Sequence, residues 1–359
     1  MLSRQAIERA AAVLMRGDAV ILPTDTVPGL FVLDSVDGEK LIRRIKKRSE
    51  TKPFARMFAN RKQLATRVRL RSKLQETAVS TLLPGCVTLI LPSAKKTEAS
   101  LGVRIPDDSS LRALISKTGP LIATSANVSG QALRDPATLP KKLLSQVTLI
   151  EEDDDATYRG LRNRASTVID LLSSRLAVIR RKGVVPIWTV ARKLEVIPAL
   201  ESTLGLNILF VCGGNTCRSP MAVKMFKACC SDKRINVRGA GLSVVYDSKA
   251  TDFAVKVMEE KGLVLQGHRA RSLNRNLISW SDLILVMTRS HLMRVTRMYP
   301  EARGFTFLLS GFPAPWPSGL SIDDPIGMGI DVYRDTASRI ESYLKKICVY
   351  LSKVIRDAD

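Results

Sequence analysis

A cysteine and an arginine stand six positions apart in the segment Val211-Cys212-Gly213-Gly214-Asn215-Thr216-Cys217-Arg218-Ser219-Pro220. An apolar run precedes this segment and Pro220 suits the first turn of a helix, so the sequence predicts a strand, a loop and a helix. The backbone N–H groups of such a loop, together with the helix N-terminus, bind anions and favour a thiolate on Cys212. Arg218 can hold two phosphoryl oxygens through its planar guanidinium group. These residues predict a phosphoryl-transfer site.

A carboxylic acid for the same chemistry is available downstream, in Asp323-Asp324-Pro325 on a loop rich in proline and glycine. One of these groups could protonate the leaving group and then accept a proton from water. Ser219 can donate a hydrogen bond to the thiolate, and Cys217 could protect Cys212 by forming a disulfide under oxidation. The alternatives are an ordinary strand-to-helix turn with a spare cysteine, and a small buried residue at position 217.

Hydroxyl-bearing turns and basic side chains recur at the ends of predicted strands in the first half of the chain. Such groups suit a triphosphate and a carboxylate, because hydroxyls, N–H groups and fixed cations bind both. No glycine-rich loop ending in Gly-Lys-Ser/Thr occurs, which excludes a P-loop nucleotide triphosphatase. The segments are 23–30, 46–48, 52–53, 83–89, 103–106, 124–130, 166–170 and 180–183.

The first half must position these groups with a mixed α/β architecture. Apolar residues at helical spacing predict a helix over 4–16, with Ser3 as its N-cap and Gly17 as its stop. Short apolar runs between helical stretches predict the strands of a mixed sheet. These strands are expected at 19–22, 87–91, 121–123, 147–150, 167–171 and 176–179.

Strands and helices alternate in the second half, which predicts a doubly wound parallel sheet. Strands are expected at 207–212, 237–240, 283–287 and 305–309, and helices from Pro220 and over 250–261, 290–298 and 333–350. The expected domains are therefore 1–190 and 206–355. The linker over 191–205 is apolar enough to pack on a domain instead of forming a free tether.

Composition limits the environment and the partners of the protein. Its 359 residues include 56 Lys and Arg against 34 Asp and Glu, a net charge of +22 that favours polyanions such as nucleotides or RNA. No apolar run of about 18 residues and no secretory-signal pattern is present, so a cytoplasmic protein without a membrane partner is expected. Six cysteines without a Cys-x-x-Cys pair and two histidines argue against a zinc site and a His-based triad.

Residues 206–350 resemble the low-molecular-weight protein tyrosine phosphatases. The resemblance rests on the loop described above and on the segments 238–241, 281–288 and Asp324-Pro325. It implies Cys212 as the nucleophile that forms a phosphocysteine, Arg218 as the phosphate clamp and Asp324 as the general acid. It also implies a phosphoprotein substrate, no cofactor, and supporting roles in the loop for Gly213, Gly214, Asn215, Thr216, Cys217 and Ser219.

Thr216 refines the expected substrate. Members of the family that act on phosphotyrosine commonly carry an aliphatic residue at this point, whereas members that resemble bacterial protein-arginine phosphatases carry threonine. The run 216–221 matches the latter, so phosphoarginine is favoured over phosphotyrosine. Related arsenate reductases are an alternative, but they relay a disulfide through further cysteines, and none lies between Cys230 and Cys348.

Residues 4–185 resemble the YrdC-like threonylcarbamoyl-adenylate synthases through the segments of the first half. The resemblance implies that ATP, L-threonine and bicarbonate yield threonylcarbamoyl-AMP and pyrophosphate, with Mg²⁺ on the ATP phosphates and no metal ligand from the protein. It also implies that the product feeds threonylcarbamoyladenosine formation in tRNA, with the tRNA-modification machinery, tRNA and double-stranded RNA as partners. The implied ATP-binding residues are Lys46, Arg48, Lys52, Ser100, Ser125 and Arg181, and the implied threonine-binding residues are Thr26, Arg104 and Ser166.

The two resemblances together predict a fusion of two enzymes. A second interpretation keeps an active phosphatase and makes the basic first half a non-catalytic module that binds RNA or nucleotides. A third assigns the first half to another carbamoylation, as in hydrogenase maturation proteins. Those proteins carry acylphosphatase and zinc-finger segments that this sequence does not show.

Overall fold

Two compact units make up the chain. A computed structural model describes residues 2–47, 53–126, 145–150, 164–245, 247–314 and 318–356. The first unit consists of Met1–Pro186 and Val190–Pro198, and the second of Ile187–Thr189 and Ala199–Asp359. The segment 187–205 is not extended throughout. It contains a helix over Ile187–Leu194 and a two-residue strand over Ala199–Leu200.

A mixed sheet forms the framework of the first unit. Its strands are β1 (Val20–Leu22), β2 (Gly29–Leu33), β3 (Ala55–Met57), β4 (Val87–Pro92), β5 (Ser100–Arg104), β6 (Leu121–Ser125), β7 (Thr148–Leu149), β8 (Thr167–Asp170) and β9 (Val178–Arg181). Within this unit they follow the order β9-β8-β4-β5-β3-β6-β2-β1-β7. Pairs such as β4–β5 and β2–β6 are antiparallel, whereas β3–β5 and β4–β8 are parallel. The mixed sheet predicted from the sequence is confirmed.

Several strands of this sheet differ from the prediction. Strands β2, β3 and β5 are absent from the predicted set, and each of them pairs with a strand on both sides within the sheet. The strand expected over 176–179 begins instead at Val178 and continues through Arg181. Its ladder with β8 extends past the apolar residues, since Val168 pairs with Arg181.

Helices cover the sheet of the first unit and bury its apolar faces. They are α1 (Arg4–Met15), α2 (Val36–Lys46), α3 (Arg61–Ala65), α4 (Lys73–Leu82) and α5 (Ser109–Thr118). Ser3 caps α1 by accepting a hydrogen bond from the Ala6 N–H, as the sequence predicts. Leu14 of α1 and Leu114 of α5 pack with Phe31 of β2 in one buried cluster. This packing fixes the strand ends from which the site loops emerge.

The second unit contains a fully parallel sheet, as the sequence predicts. After helix α6 (Ile187–Leu194) and strand β10 (Ala199–Leu200), its strands are β11 (Leu206–Cys212), β12 (Ile235–Gly241), β13 (Leu283–Val286) and β14 (Thr306–Leu308), in the order β12-β11-β13-β14. The register pairs Cys212 with Gly241 and Val211 with Val286. The carboxyl ends of these three strands therefore meet at one edge, where parallel α/β sheets place their ligands.

Helices alternate with these strands. They are α7 (Arg218–Cys229), α8 (Asp252–Glu260), α9 (Arg275–Trp280), α10 (Arg289–Met298) and α11 (Ile330–Val354), with a 3₁₀ turn over Pro300–Gly304. Helix α7 begins at Arg218, two residues before the predicted start, so Arg218 itself lies in the first turn. Helix α11 is longer than predicted because buried apolar residues continue at helical spacing to Leu351 and Val354.

Aromatic packing beneath the site anchors β11. Phe210 is fully buried, and its ring centroid lies 5.8 Å from that of Phe226 on α7. The strand that ends at Cys212 is thereby fixed to the helix that begins at Arg218. Within the described ranges, no helix combines the length and the apolar character needed to cross a membrane.

We expect Phe210→Ala to lower the free energy of unfolding of the second unit by about 3–5 kcal/mol, because it removes a buried ring and leaves a cavity. The control is Phe253→Ala, whose ring is 41% exposed and whose loss should cost about 1.5 kcal/mol or less. Urea unfolding followed by tryptophan fluorescence measures this unit, since Trp188, Trp280 and Trp316 are the three tryptophans and all fall within it. Equal losses in the two variants would contradict the prediction.

Candidate active sites

The thiol of Cys212 lies at the carboxyl end of β11, and the residue is 2% exposed. Its Sγ is 3.0 Å from the Ser219 hydroxyl and accepts a hydrogen bond from the Asn215 N–H at 3.3 Å. Burial raises the pKa of the Cys212 thiol, whereas the Ser219 and Asn215 donors and the charge of Arg218 lower it. A thiolate at this position therefore depends on those three neighbours.

Asn215 holds the loop in its conformation. Its φ of 55° lies in the left-handed region, which residues other than glycine rarely adopt. The fully buried side chain donates from Nδ2 to the Ser219 hydroxyl at 2.8 Å and accepts from the Arg271 N–H at 3.0 Å. Nε2 of His268 is 2.7 Å from the Asn215 carbonyl oxygen. Because the Asn215 amide donates to Ser219, the Ser219 hydroxyl keeps its own hydrogen for an acceptor, and both the Cys212 sulfur at 3.0 Å and the Ala240 carbonyl oxygen at 3.4 Å lie within reach.

Arg218 joins the loop to the acidic segment. Its side chain is 3% exposed, Nη1 donates to the Ile322 carbonyl oxygen at 3.0 Å, and Nη2 donates to a carboxylate oxygen of Asp324. The Nε–H is buried and has no hydrogen-bond partner among the described residues. The structure therefore brings Cys212, Arg218 and Asp324 to one place and leaves a buried guanidinium donor there for a ligand.

His291 borders the same place. The position that a Cβ would take at Gly213 is 3.8 Å from Asp324 Oδ2 and 3.9 Å from both Arg218 Nη2 and His291 Nε2, so these three groups surround Gly213 at ordinary contact distance. The His291 Nδ1 atom is buried without a partner in the described part of the chain. Burial, and then the charge of Arg218, lower the pKa of His291 to about 4. The imidazole is therefore neutral at pH 7.

Cys217 and Thr216, which precede Arg218 in the loop, lie near hydroxyl groups. Cys217 is buried, and its Sγ lies 3.4 Å from the Thr251 hydroxyl and 3.5 Å from the Tyr333 hydroxyl. The Thr216 hydroxyl is 3.6 Å from the same sulfur and would lie 3.3 Å from a Cβ added at Gly214. Thr216 thus presents a polar group beside the glycine pair of the loop.

Arg104 is the centre of the candidate site in the first unit. It is the last residue of β5 and is 3% exposed, and each of its three guanidinium nitrogens donates a hydrogen bond. Nη1 donates to the Thr26 hydroxyl at 2.9 Å, Nη2 to the Asp25 carboxylate, and Nε to the Gly85 carbonyl oxygen at 3.3 Å. The other Asp25 oxygen accepts from the Asp107 N–H at 2.8 Å. Arg104 and Thr26, both expected at the threonine site, are therefore in direct contact.

A second group of predicted residues meets where β4, β8 and β9 lie side by side. Arg181 donates to the Ser166 hydroxyl and to the Ser166 carbonyl oxygen, each at 3.0 Å. The Ser166 hydroxyl is also 2.8 Å from that of Thr88. The structure thus joins an expected ATP ligand, Arg181, to an expected threonine ligand, Ser166.

The remaining ATP-binding predictions have separate placements. Lys46 is buried at the end of α2, and its Nζ donates to the Ser125 carbonyl oxygen at 2.9 Å. Ser100 begins β5, so it lies about 13 Å along the strand from Arg104. Arg48 and Lys52 lie outside the described residues, as does the turn over 127–130.

Sequence reasoning missed several polar neighbours of both sites. They are His268 and His291 in the second unit; in the first unit, Asp25, Cys86 and Thr88 lie within the predicted segments 23–30 and 83–89 but were given no individual role. Cys86 packs against Asp25, and burial raises the pKa of the Cys86 thiol to about 12. For His291 the usable signal was its position a few residues after β13, at the ligand-binding edge of a parallel sheet.

Low pH should destabilise the second unit through His291. Its pKa is about 4 in the folded protein and near the ordinary 6.5 after unfolding, so the unfolded chain binds more protons between these values. The stabilisation is complete above about pH 6.5 and is lost as the pH falls toward 4. The urea midpoint of His291→Asn should therefore fall less steeply over this range than that of the wild type.

The control for this experiment is Met293→Gln on the same helix, at a residue that is 64% exposed and not titratable. Its midpoint should follow the wild-type pH dependence. Identical slopes for all three proteins would show that His291 does not carry the effect.

Two family models match the chain. The Sua5/YciO/YrdC family, described as telomere recombination, matches residues 12–182, and the low molecular weight phosphotyrosine protein phosphatase family matches residues 207–357.

Individual relatives match the second unit. A protein-arginine-phosphatase of Bacillus subtilis is 35% identical over 150 residues, 41% of this chain and 98% of the relative. The low molecular weight protein-tyrosine-phosphatase Wzb of Escherichia coli is 38% identical over 119 residues, 33% of this chain and 77% of the relative. The solved YwlE arginine phosphatase from Geobacillus stearothermophilus is 34% identical, with 41% of this chain and 94% of that chain covered and a TM-score of 0.39. The chain therefore belongs to the low molecular weight protein phosphatases through residues 207–357 and carries a Sua5/YrdC domain over residues 12–182.

Proposed function

We propose that the second unit hydrolyses phosphoproteins with Cys212 as its nucleophile. The observation that carries the proposal is the contact set of one buried thiol with two hydrogen-bond donors, next to an arginine bonded to Asp324. Family membership and the named phosphatase relatives support the same reaction class. No cofactor is needed, because the thiolate, the guanidinium and the carboxyl group supply the nucleophile, the charge and the proton.

The proposed reaction has two steps. The Cys212 thiolate attacks phosphorus, an S–P bond forms, and the bond to the leaving group breaks as Asp324 donates it a proton. Water then attacks the phosphocysteine, Asp324 accepts its proton, and the thiolate departs as inorganic phosphate forms. The Nε–H and Nη2–H of Arg218 bind phosphoryl oxygens in both steps, so Nη2 exchanges its carboxylate partner for the substrate.

Phosphoarginine is the proposed substrate in preference to phosphotyrosine. The hydroxyl of Thr216 lies beside Gly214, 3.3 Å from the position that a Cβ would take there, and phosphotyrosine-specific members of the family commonly carry an aliphatic residue at this point. Relatives named as protein-arginine-phosphatases from Bacillus subtilis and Geobacillus stearothermophilus are 35% and 34% identical to this chain. Relatives named as tyrosine phosphatases have similar identity, so Thr216 rather than overall similarity supports this preference.

For the first unit, we propose the synthesis of threonylcarbamoyl-AMP from ATP, L-threonine and bicarbonate. The threonine amine takes up bicarbonate with loss of water, and the resulting carbamate attacks the α-phosphorus of ATP as pyrophosphate leaves. The clusters around Arg104 and around Ser166 and Arg181 would hold the carboxylate and the nucleotide. Lys46 would contribute charge near the phosphates, and the product would pass to the tRNA-modification machinery.

The donor set of the first unit fits a Mg²⁺ ion that is bound mainly through ATP. The described residues contain no group of three or more His, Cys, Asp or Glu side chains placed to hold a metal. Asp25 is already bonded to Arg104 and to the Asp107 N–H. The ion would neutralise phosphate charge, and the protein would orient the phosphates with its hydroxyl and cationic groups.

One observation favours the alternative in which the first unit only binds RNA or nucleotides. Arg104 uses three of its five N–H groups within the protein, and its charge is already paired with Asp25, so a threonine carboxylate would compete with an internal carboxylate. Pyrophosphate release distinguishes the two functions. A protein that binds tRNA but releases no pyrophosphate with threonine and bicarbonate present would support the binding module.

Reciprocal variants on one preparation test both activities. Cys212→Ser should abolish phosphatase turnover and leave pyrophosphate release within about twofold of the wild type, because the nucleophile serves only one reaction. Arg104→Lys should lower pyrophosphate release about tenfold or more and spare the phosphatase, since one ammonium group cannot replace a planar fork. Loss of both activities in either variant would contradict two independent sites.

The substrate preference is tested by Thr216→Ile. We expect the ratio of kcat/KM for phosphoarginine over phosphotyrosine to fall about tenfold, because an apolar side chain replaces a hydroxyl beside the leaving group. Thr251→Val is the control, since that hydroxyl contacts Cys217 instead of the loop glycines. An unchanged ratio in Thr216→Ile would remove the basis for the preference.

A further inference from the structure

Three thiols gather at the end of α7 that is remote from the phosphatase loop. Cys229 is the last residue of α7, Cys230 caps the helix, and Cys348 lies on α11. Cys229 is exposed, and the other two are partly exposed. The pairing of α7 with α11 thus brings together cysteines that are more than a hundred positions apart in sequence.

One pair within this cluster is in contact. The Cys229 and Cys348 sulfurs lie 3.0 Å apart, and the Cys229 sulfur is also 3.5 Å from the Phe226 carbonyl oxygen. A disulfide needs a sulfur separation of about 2.05 Å, so a movement of about 1 Å would suffice for the bond. Both side chains already face each other across the helix pair.

Neighbouring charges suit Cys229 as the attacking thiol. A hydrogen bond from Cys348 lowers the pKa of Cys229 more than burial raises it, and Lys345 lowers it further. Glu341 opposes this effect, but its carboxylate is bonded to Lys261 at 2.5 Å and to Lys345 at 3.1 Å. Burial raises the pKa of Cys230, so the adjacent thiol is the weaker nucleophile.

The cluster is separate from the catalytic thiol. Ser219 and Cys229 lie near opposite ends of α7, about 15 Å apart at 1.5 Å per residue. Cys217 is turned toward Thr251 and Tyr333. Oxidation of Cys229 therefore does not involve the Cys212 thiol.

We propose that Cys229 and Cys348 form a peroxide-dependent disulfide that fastens α7 to α11. This modification site is independent of the proposed catalytic activities. The ligand class is a hydroperoxide, which supplies the two-electron oxidant.

The chemistry balances in two steps. The Cys229 thiolate attacks one peroxide oxygen, an S–O bond forms, the O–O bond breaks, and the departing hydroxide takes a proton to become water. The Cys348 sulfur then attacks the sulfenic sulfur, its proton goes to the leaving hydroxyl, and the S–S bond forms as a second water departs. Two thiols and one hydrogen peroxide give one disulfide and two waters. A dithiol reductant reverses the bond by exchange.

Peptide mapping of the full chain tests the pairing. Trypsin releases Cys229 and Cys230 together in 228–233, Cys348 in 347–353, and Cys212 with Cys217 in 194–218. After treatment with hydrogen peroxide and blocking of free thiols, we expect 228–233 joined to 347–353, at a mass two hydrogens below their sum. The joined peptide should disappear with dithiothreitol. A disulfide between Cys212 and Cys217 within the peptide 194–218 is a different product and is quantified separately.

Matched serine variants identify the partner. Cys229→Ser should lower the joined fraction about tenfold or more, whereas Cys230→Ser should retain it within about twofold. In Cys348→Ser, a sulfenic acid should persist on Cys229 and react with dimedone. A joined peptide that survives in Cys229→Ser, or the lack of one in the oxidised wild type while 194–218 is oxidised, would overturn the proposal.

A stability measurement supplies a second readout. In the Cys212→Ser background, which prevents a disulfide within the loop, oxidation should raise the urea midpoint of tryptophan fluorescence by about 1 M, because the bond closes a long loop in the unfolded chain. Adding Cys229→Ser should remove this rise. A rise of equal size in that double variant would contradict the assigned pair.

Discussion

The phosphatase half depends on one left-handed residue. Asn215 holds a φ of 55° inside the protein, and its amide bonds to Ser219 and Arg271 at once. These bonds close the loop around the Cys212 sulfur and direct the Ser219 hydroxyl toward it. A backbone conformation that is unfavourable for a side-chain-bearing residue is stable here because Ser219 at the start of α7 and the segment 268–271 supply its partners. Hydrogen bonds of Arg271 and Leu273 with Gly241 hold that segment at the end of β12.

The fold was largely predictable, and the reason lies in the length of the apolar runs. The run that ends at Cys212 predicted β11, and the spacing of apolar residues predicted the core of α11. Strands β3 and β5 contain no two consecutive large apolar side chains, so they show no apolar run. Their positions come from pairing with neighbouring strands, which only the folded chain contains.

More of the candidate site could be predicted from the sequence in the second unit than in the first. Residues of the phosphatase loop are consecutive, so motif reasoning could bring Cys212 and Arg218 together, although their roles remain proposals. Contacts between segments that are distant in sequence could not be predicted. Neither His291 beside Gly213 nor Asp25 on Arg104 follows from spacing, because each contact depends on how strand ends meet. The pairing of Cys229 with Cys348 depends in the same way on helix packing.

Among the described residues, the most buried arginine of each unit bonds to a carboxylate of the same unit, Arg218 to Asp324 and Arg104 to Asp25. A buried guanidinium without a counter-ion would be costly, and the internal carboxylate avoids that cost. An anion that enters either pocket competes with a group already in place. In a protein with a net charge of +22, this arrangement favours anions that offer more charge or more hydrogen bonds than the carboxylate they would replace.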